Sequence, residues 1–169
     1  VDGQDDSARL RSIREIVGKR LVLRIDANEA WAVSEVEERV RPLLPFRPSV
    51  LEQPVKHEDV DTLADLRPRI GMPVMLDESL CGYPDAVRSI ERGTADFFNV
   101  RLSKCGGFIP ALRIIGLAQR SGIGLQLGCH PLHTALPLPP GLPLASPRRV
   151  FSPVPGPYAH PTSPSDLTA

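Results

Sequence analysis

Apolar residues recur along the first 130 residues in two alternating patterns. Stretches whose apolar positions lie three or four residues apart predict helices, and short, almost continuously apolar stretches predict strands that are covered on both faces. This alternation predicts a parallel sheet, because parallel strands need crossover connections. The predicted helices are 6–17, 34–44, 57–70, 83–93 and 109–122, and the predicted strands are 20–26, 48–54, 73–79, 96–104 and 123–128.

Local signals mark where some of these helices begin and end. Ser34 is predicted to cap the helix 34–44, with Glu37 at the third position after it. Gly93 is predicted to end the helix that starts at Tyr83. A doubly wound sheet and a (β/α) barrel both fit this succession of elements, and the residues at the strand ends distinguish them.

An ionisable residue follows or ends each of the first four predicted strands. Asp26, Glu52, Asp77 and Lys104 are separated by 26, 25 and 27 residues, so they recur in the same phase of each unit. In a barrel, the carboxyl ends of all strands open onto one face, where active sites lie. Adjacent strands are ~4.8 Å apart, so these side chains are expected to converge.

Converging carboxylates repel one another unless a cation lies between them. All-oxygen ligation by Asp26, Glu52 and Asp77 suits Mg²⁺ best, with Mn²⁺ as an alternative. A nearby divalent cation and partial burial would lower the pKa of Lys104 into the range of a useful base. A single acid after a strand is usually a helix cap or a loop residue, but three acids and a lysine in register favour a shared site.

Composition and charge exclude several classes of function. The 169 residues suffice for one domain with a core, and the formal net charge of zero gives no indication of nucleic acid or an anionic membrane surface. The acidic start is not a signal peptide, and its lack of Met predicts that the native N-terminus lies upstream. Cys81, Cys105 and Cys129 form no CxxC pair, which indicates three reduced thiols in a cytoplasmic protein.

The last 39 residues differ in composition from the rest. Residues 131–169 contain eleven prolines and one acidic residue, whereas residues 1–130 contain eight prolines. Proline removes backbone donors, so 131–169 is expected to be irregular or disordered. It could be a proline-rich docking segment, a linker, or the product of a shifted reading frame, and we favour the last interpretation.

Five stretches, in order, resemble a known family. They are "RIDANEAW", "LEQPV", "MLDESL", "NVRLSKCGG" and "LQLGC". They are similar to the barrel domain of the enolase superfamily, in its mandelate racemase and muconate-lactonising branch. The resemblance implies that residues 1–130 form a partial (β/α) TIM-type barrel, equivalent to strands three to seven of the family barrel.

The resemblance also implies roles for individual residues. Asp26, Glu52 and Asp77 match the family's three Mg²⁺ ligands, and Lys104 matches its acid/base lysine. Such enzymes abstract the proton α to a carboxylate of a small substrate and stabilise the enediolate on the metal. Racemisation, epimerisation, cycloisomerisation and dehydration share this chemistry, and the family implies a homo-oligomer. Asn28, Gln53 and Glu78 match adjoining polar positions that are expected to orient the ligands through hydrogen bonds.

Three departures from the family pattern limit this interpretation. The family's Lys-x-Lys strand and its capping domain would both precede Val1, and the usual glutamate, helix and eighth strand do not follow "LQLGC". We therefore expect a fragment of an isomerase or lyase that is poorly stable and prone to aggregate. The alternatives are an inactive truncated barrel that retains at most weak metal binding, and an interaction protein that acts through the proline-rich tail.

Overall fold

The computed structural model describes residues 6–18 and 21–128. They form one parallel sheet of five strands whose connections are helical. Three 3₁₀ segments, Val33–Glu35, Arg41–Phe46 and His57–Thr62, lie in these connections. The main elements are α1 Asp6–Val17, β1 Ile25–Asp26, α2 Val36–Val40, β2 Leu51–Glu52, α3 Leu63–Leu66, β3 Val74–Leu76, α4 Tyr83–Arg92, β4 Phe97–Arg101, α5 Phe108–Arg120 and β5 Gly124–Gly128.

The order of the strands in the sheet is their order in the chain. Each strand pairs in parallel with the next one, from β1 to β5. Right-handed crossovers between successive neighbours are expected to place the connecting helices α2 to α5 on the same side of the sheet. A doubly wound sheet would instead reverse its strand order at a switch point. The structure therefore confirms the predicted partial (β/α) barrel.

Strand register divides the sheet into two faces. On one face, which we call the helix face, Leu51 pairs with Ile25 and Val74, and Phe98 pairs with Leu76 and Leu125. The opposite side is the inner face, where side chains of successive strands are likewise in register. The inner face carries Asp26, Glu52, Met75, Phe97 and Gly124 in one row, and Asn99 and Gln126 in the next.

The helix face contains the core that holds the strands together. Leu51, Leu76 and Phe98 are almost completely buried, and they belong to the same apolar cluster as Leu63 of α3 and Ile114 of α5. Burying one such side chain contributes about 1.5–3 kcal/mol relative to leaving it in water. This cluster, together with the backbone ladder, fixes the register that brings the strand ends together.

Two glycines on β5 make room for side chains of β4. A Cβ atom on Gly124 would lie 2.2 Å from Cδ1 of the Phe97 ring, and one on Gly128 would lie 2.2 Å from Oδ1 of Asn99. These separations are far below van der Waals contact, so no larger residue fits without movement. The inner-face side chains of β4 therefore lean over β5.

Several elements are shorter than predicted. The stretch 34–44 is α-helical only over Val36–Val40, because Pro42 and Pro45 lack the N–H groups that a continuing α-helix needs. The stretch 57–70 is α-helical only over Leu63–Leu66. A proline disfavours the α conformation in the residue before it, and Pro68 follows closely.

The predicted cap of the second helix is wrong. The main-chain N–H of Ala32 donates to Oε2 of Glu35 at 3.4 Å, so Glu35 takes the part predicted for Glu37. Glu37 instead forms an ion pair with Arg69 at 3.2 Å. The 3₁₀ turn at Val33–Glu35 starts the helical segment earlier than predicted.

Membrane-spanning helices and the predicted tail are the two remaining features of the chain. Within the described residues, no helix is long and apolar enough to cross a membrane. Cys129 and the tail 131–169 lie outside the described residues. The division of the chain at residue 130 stays a prediction.

Candidate functional site

The four predicted ionisable residues lie at the same edge of the sheet. Asp26 ends β1 and pairs in register with Glu52, which ends β2. Asp77 directly follows β3, and Lys104 comes three residues after the last residue of β4. Because the strands are parallel, their carboxyl ends share one edge. The helix-face core thus holds these four residues at the same end of the sheet.

Glu52 is a buried carboxylate whose partner is neutral. It is 4% exposed, and its Oε1 atom accepts a hydrogen bond of 2.6 Å from Nδ2 of Asn99. Asn99 is 2% exposed and lies in the middle of β4. Its Oδ1 atom is buried and has no hydrogen-bond partner among the described residues. A buried acceptor without a hydrogen-bond partner is unusual in a folded protein.

Asp77 is a buried carboxylate whose partners are charged. The ammonium group of Lys104 contacts its Oδ1 atom and its main-chain carbonyl oxygen. The guanidinium group of Arg101 forms an ion pair with its Oδ2 atom. The side chain of Asp77 is 1% exposed, so its negative charge would be costly without such partners.

The environment of Lys104 lowers the pKa of its side chain. Burial lowers the pKa of Lys104, and the positive charge of Arg101 lowers it further, while the negative charge of Glu78 acts in the opposite direction. Desolvation penalises the charged ammonium form. Lys104 therefore holds its proton less tightly than an exposed lysine does.

Glu78 interacts electrostatically with Asp26 at the end of β1 and with Lys104 after β4. Burial raises the pKa of Glu78, the negative charge of Asp26 raises it further, and the positive charge of Lys104 opposes both effects. The Oε2 atom of Glu78 is buried and makes no hydrogen bond within the described part of the chain. Glu78 thus lies close enough to both Asp26 and Lys104 to respond to their charges.

Gln53 joins the loop after β2 to the loop after β3. It is fully buried, and its Nε2 atom donates to the carbonyl oxygen of Val55 at 2.9 Å and to Oγ of Ser79 at 2.7 Å. Its Oε1 atom accepts from the main-chain N–H groups of Asp77 at 3.1 Å and Ser79 at 3.2 Å. Gln53 therefore uses its full capacity as a donor and acceptor to fix the backbone of Asp77.

Asn28 contacts Asp26 through its main chain. Its N–H donates to Oδ1 of Asp26 at 3.0 Å. Asn28 and Glu29 both have positive φ angles, 45° and 63°, so the chain turns sharply just after β1. Glu29 closes the turn by accepting a 2.7 Å hydrogen bond from the main-chain N–H of His57.

Three polar residues at this edge were missed in the sequence. Asn99 and Arg101 alternate with apolar residues along β4, and Gln126 pairs in register with Asn99. A period of two places alternate residues on one face of a strand, so all three belong to the inner face. The alternation of polar and apolar residues in "FFNVR" and "GLQLG" therefore indicates these inner-face residues, whereas the spacing of the strand ends does not.

The donor chemistry of this edge suits a hard cation. Three carboxylates end or follow three adjacent strands, and oxygen ligands of this kind suit Mg²⁺. Within residues 6–18 and 21–128, however, no three His, Cys, Asp or Glu side chains are gathered closely enough to hold a metal ion. In this structure the charge of Asp77 is balanced by Lys104 and Arg101.

Comparison with known proteins identifies the family. A family model described as enolase C-terminal domain-like matches residues 1–152. The chain belongs to this enolase family. The resemblance that the five sequence stretches carry is thereby confirmed, and the matched region continues past residue 130 into the predicted tail.

The relatives of this enolase-family chain include enzymes that carry out several related reactions. It is 35% identical over 131 residues to the hydrophobic dipeptide epimerase of Enterococcus faecalis, which covers 78% of the chain and 37% of that relative. It is 39% identical over 123 residues to the D-Ala-D/L-Ala epimerase of Cytophaga hutchinsonii, covering 73% of the chain and 33% of the relative. Muconate cycloisomerase 1 of Acinetobacter baylyi is 32% identical. The relatives therefore include epimerases and a cycloisomerase.

Solved structures agree with this enolase-family assignment. The dipeptide epimerase of Cytophaga hutchinsonii, complexed with Mg and D-Ala-L-Val, superposes with a TM-score of 0.69 at 39% identity, over 72% of this chain and 33% of that one. The N-succinyl Arg/Lys racemase of Bacillus cereus superposes with a TM-score of 0.70 at 33% identity, over 73% of this chain and 34% of that one. The chain spans about a third of the length of the curated relatives it matches.

Proposed function

We propose that this chain carries the metal-binding and proton-transfer half of an enolase-type epimerase or racemase. Asp26, Glu52 and Asp77 hold Mg²⁺, with Mn²⁺ as an alternative, and the substrate is a small molecule with a carboxylate beside the reacting carbon. The observation that carries the proposal is the arrangement of ionisable groups at the ends of four successive parallel strands. The Mg complex of the similar dipeptide epimerase supports the choice of metal.

Lys104 is the residue proposed to move the proton. Its contact with Asp77 places the amine beside a proposed metal ligand, so a carboxylate bound there would present its α-carbon to Lys104. Burial and Arg101 lower the pKa of Lys104, which increases the neutral fraction that can accept a proton. The metal, when bound, supplies positive charge that stabilises the developing negative charge on the substrate carboxylate.

The reaction class follows from the removal and return of the α-proton. Removing the α-proton on one face and returning it on the other inverts the carbon, which is epimerisation or racemisation. Lys104 serves one face in this proposal. The second base, expected on a Lys-x-Lys strand before Val1, stays a prediction. Cycloisomerisation and dehydration begin with the same proton abstraction, and the chain does not select among them.

The remaining predicted residues have proposed orienting roles. Gln53 holds the main chain of Asp77 through its Oε1 atom, and the turn at Asn28 holds the carboxylate of Asp26. Glu78 adds negative charge beside Asp26 and Lys104. Each of these contacts restricts a proposed ligand or base rather than touching substrate.

Titration with Mg²⁺ tests the metal site directly. Isothermal calorimetry of the 169-residue chain should show Mg²⁺ binding that Asp26→Ala and Asp77→Ala weaken at least about tenfold, since each removes one anionic ligand. Asp65→Ala is the matched control, because Asp65 is exposed on α3 and away from the strand ends. Equal affinities in all four proteins would show that the site does not form.

The second candidate function is a scaffold that retains at most weak metal binding. It is favoured by one observation: in the described residues the charge of Asp77 is already balanced by two cations. Deuterium exchange at the α-carbon distinguishes the two candidates, because it requires only one base. Incubation with Mg²⁺ and D-Ala-L-Val, the dipeptide bound by the similar dipeptide epimerase of Cytophaga hutchinsonii, in D₂O should give exchange that Lys104→Met abolishes, as followed by proton NMR. Metal binding without exchange would favour the scaffold.

A further inference from the structure

Two free thiols lie against one turn of the chain, next to Lys104. Residues 77–80 form this turn, since the main-chain N–H of its last residue donates to the carbonyl oxygen of its first at 2.8 Å. Cys81 directly follows the turn, and Cys105 directly follows Lys104 in the loop after β4. We infer that Cys81 and Cys105 form an oxidation site, at which a hydroperoxide converts the two thiols into a disulfide that restrains Lys104.

The first step is the set of contacts that the turn makes. Sγ of Cys81 donates to the carbonyl oxygen of Glu78 at 3.2 Å. Sγ of Cys105 donates to the carbonyl oxygen of Leu80 at 3.8 Å. The ammonium group of Lys104 contacts the carbonyl oxygen of the first residue of the turn. Two thiols and one amine therefore surround a single segment of four residues.

The second step is the distance that a bridge must close. Because the peptide group is planar, the Cα atom of Cys81 lies about 2.8 Å from the carbonyl oxygen of Leu80, so Sγ of Cys105 lies at most about 6.6 Å from that Cα atom. A disulfide places the Cα atom of one cysteine roughly 4 Å from the sulfur of the other. The two loops therefore need to approach each other by no more than about 3 Å.

The loop that carries Cys105 has space for this movement. Gly106 and Gly107 follow the thiol directly, with φ angles of 82° and 98°. A Cβ atom on Gly107 would meet no other atom within 4 Å. The main chain beside Cys105 is therefore not packed against a neighbouring element at this point.

The third step is the difference in exposure between the thiols, which sets the order of the chemistry. Cys81 is exposed, whereas Cys105 is 3% exposed. Burial raises the pKa of the Cys105 thiol, and the negative charge of a Cys81 thiolate raises it further. A soluble oxidant therefore reaches Cys81 first, and Cys105 is the thiol that responds to the oxidised sulfur.

The reaction consumes one hydroperoxide and leaves two oxidised sulfurs. The sulfur of Cys81 attacks one peroxide oxygen, the O–O bond breaks, and the leaving oxygen takes the thiol proton, which gives a sulfenic acid and water when the oxidant is hydrogen peroxide. The sulfur of Cys105 then attacks the sulfenic sulfur, the S–O bond breaks, and the released hydroxide takes the second thiol proton as water. The peroxide is reduced by two electrons, and the pair of thiols supplies them.

The bridge changes the surroundings of Lys104. It removes both thiol hydrogens, and with them the two S–H···O contacts to the turn. It also ties the residue that follows Lys104 to the residue that follows the turn. The amine then loses freedom to move between Asp77 and a substrate, so proton transfer should slow. This last effect rests on the proposed function, whereas formation of the disulfide does not.

The test is disulfide mapping of the full 169-residue chain after treatment with hydrogen peroxide. Trypsin should place Cys81 in peptide 70–88 and Cys105 in peptide 105–113, and the third cysteine, Cys129, in peptide 121–148. The oxidised protein should yield the first two peptides as one linked species, lighter by two hydrogen atoms than their sum. Dithiothreitol should release them.

The same samples show the effect on Lys104. Incubation with Mg²⁺ and D-Ala-L-Val in D₂O should give α-carbon exchange that is at least about tenfold slower in the oxidised protein, because a small displacement of a base has a large effect on rate. Dithiothreitol should restore the exchange.

Single cysteine variants are the controls. Cys81→Ser should abolish the linked species and make exchange insensitive to peroxide. Cys105→Ala should do the same, and it provides a second variant at the buried position. Cys129→Ser is the matched control, because it removes a thiol that takes no part in the bridge, and it should behave as the wild type does.

The outcomes separate this inference from the proposed function. A Cys81–Cys105 link that slows exchange reversibly supports the oxidation site and its effect. Absence of the link, or linkage to Cys129 instead, overturns the oxidation site, whatever the rate of exchange. A link without any change in exchange overturns the restraint of Lys104. Absence of exchange in the reduced wild type overturns the proposed function, and the peptide masses then decide the oxidation site alone.

Discussion

The two faces of the sheet are formed by the same strands but have different roles. On the helix face, Leu51, Leu76 and Phe98 exclude water and make the fold stable. On the inner face, Glu52 and Asp77 bury charge, which is costly and must be offset by Asn99 or by cations. The difference shows that stability and chemistry are separated by one residue along each strand, so neighbouring substitutions should have different consequences.

The largest effect is expected from deleting a core side chain on the helix face. Phe98→Ala should lower the free energy of unfolding by about 3–5 kcal/mol, because it leaves a cavity in the fully buried cluster. Phe97→Ala is the neighbouring control on the inner face, where the ring is only partly buried, and it should cost less. Urea denaturation measures both, and equal losses would contradict the division into two faces.

A smaller loss is expected from filling the space over β5. Gly124→Ala should destabilise the protein by about 1–3 kcal/mol, because the added Cβ atom meets the Phe97 ring at 2.2 Å. Combining it with Phe97→Ala should restore part of the loss. Gly116→Ala on α5, whose Cβ atom would meet only the flexible end of Arg120 at 3.4 Å, should be neutral or stabilising. A Gly124→Ala protein as stable as the wild type would show that β4 does not lean over β5.

A still smaller change in stability is expected when a buried charge is removed without changing shape. Glu52→Gln should alter the free energy of unfolding by less than about 1 kcal/mol, because its amide oxygen still accepts from Nδ2 of Asn99. The same variant should bind Mg²⁺ more weakly, since it loses an anionic ligand. Thermal melts with and without Mg²⁺ measure both effects. A large loss of stability without metal would mean that the inner face supports the fold as well.

The smallest expected effect concerns the reactivity of two thiols. Cys105 is buried and Cys81 is exposed, and both are free. Burial raises the pKa of the Cys105 thiol, so the folded protein keeps this proton at a pH where the unfolded chain has lost it. Iodoacetamide should therefore modify Cys81 first, as mapped by peptide mass spectrometry. The stability contribution of Cys105 is present below the unfolded thiol pKa and is lost as the pH rises through the folded one, and equal labelling rates would contradict its burial.

Much of the architecture could be predicted because it depends on patterns that a single strand or helix displays. Apolar alternation predicted the parallel sheet, and the phase of Asp26, Glu52, Asp77 and Lys104 predicted their common edge. The predicted helix 34–44 is too long because its apolar spacing continues past Pro42, where the structure has a 3₁₀ segment. The backbone N–H group that proline lacks, and not the spacing of apolar side chains, sets the end of this helix.

The partners of the site residues were harder to predict, because they depend on register between strands that are distant in the chain. The pairing of Arg101 with Asp77 requires knowing that β4 continues to residue 101 with its inner-face phase intact. The metal-binding and orienting roles, the cytoplasmic location, the oligomeric state and the tail stay predictions.

Gln53 makes this edge of the sheet sensitive to the change of one side-chain amide to a carboxylate. Hydrolysis of its side-chain amide would replace the Nε2 donor by an oxygen that faces the carbonyl oxygen of Val55. The new negative charge would also join those of Glu52 and Asp77 in a buried place. One deamidation would thus loosen the loops after two strands, and Gln53→Glu, which reproduces its product, should melt at a lower temperature than the unmodified chain.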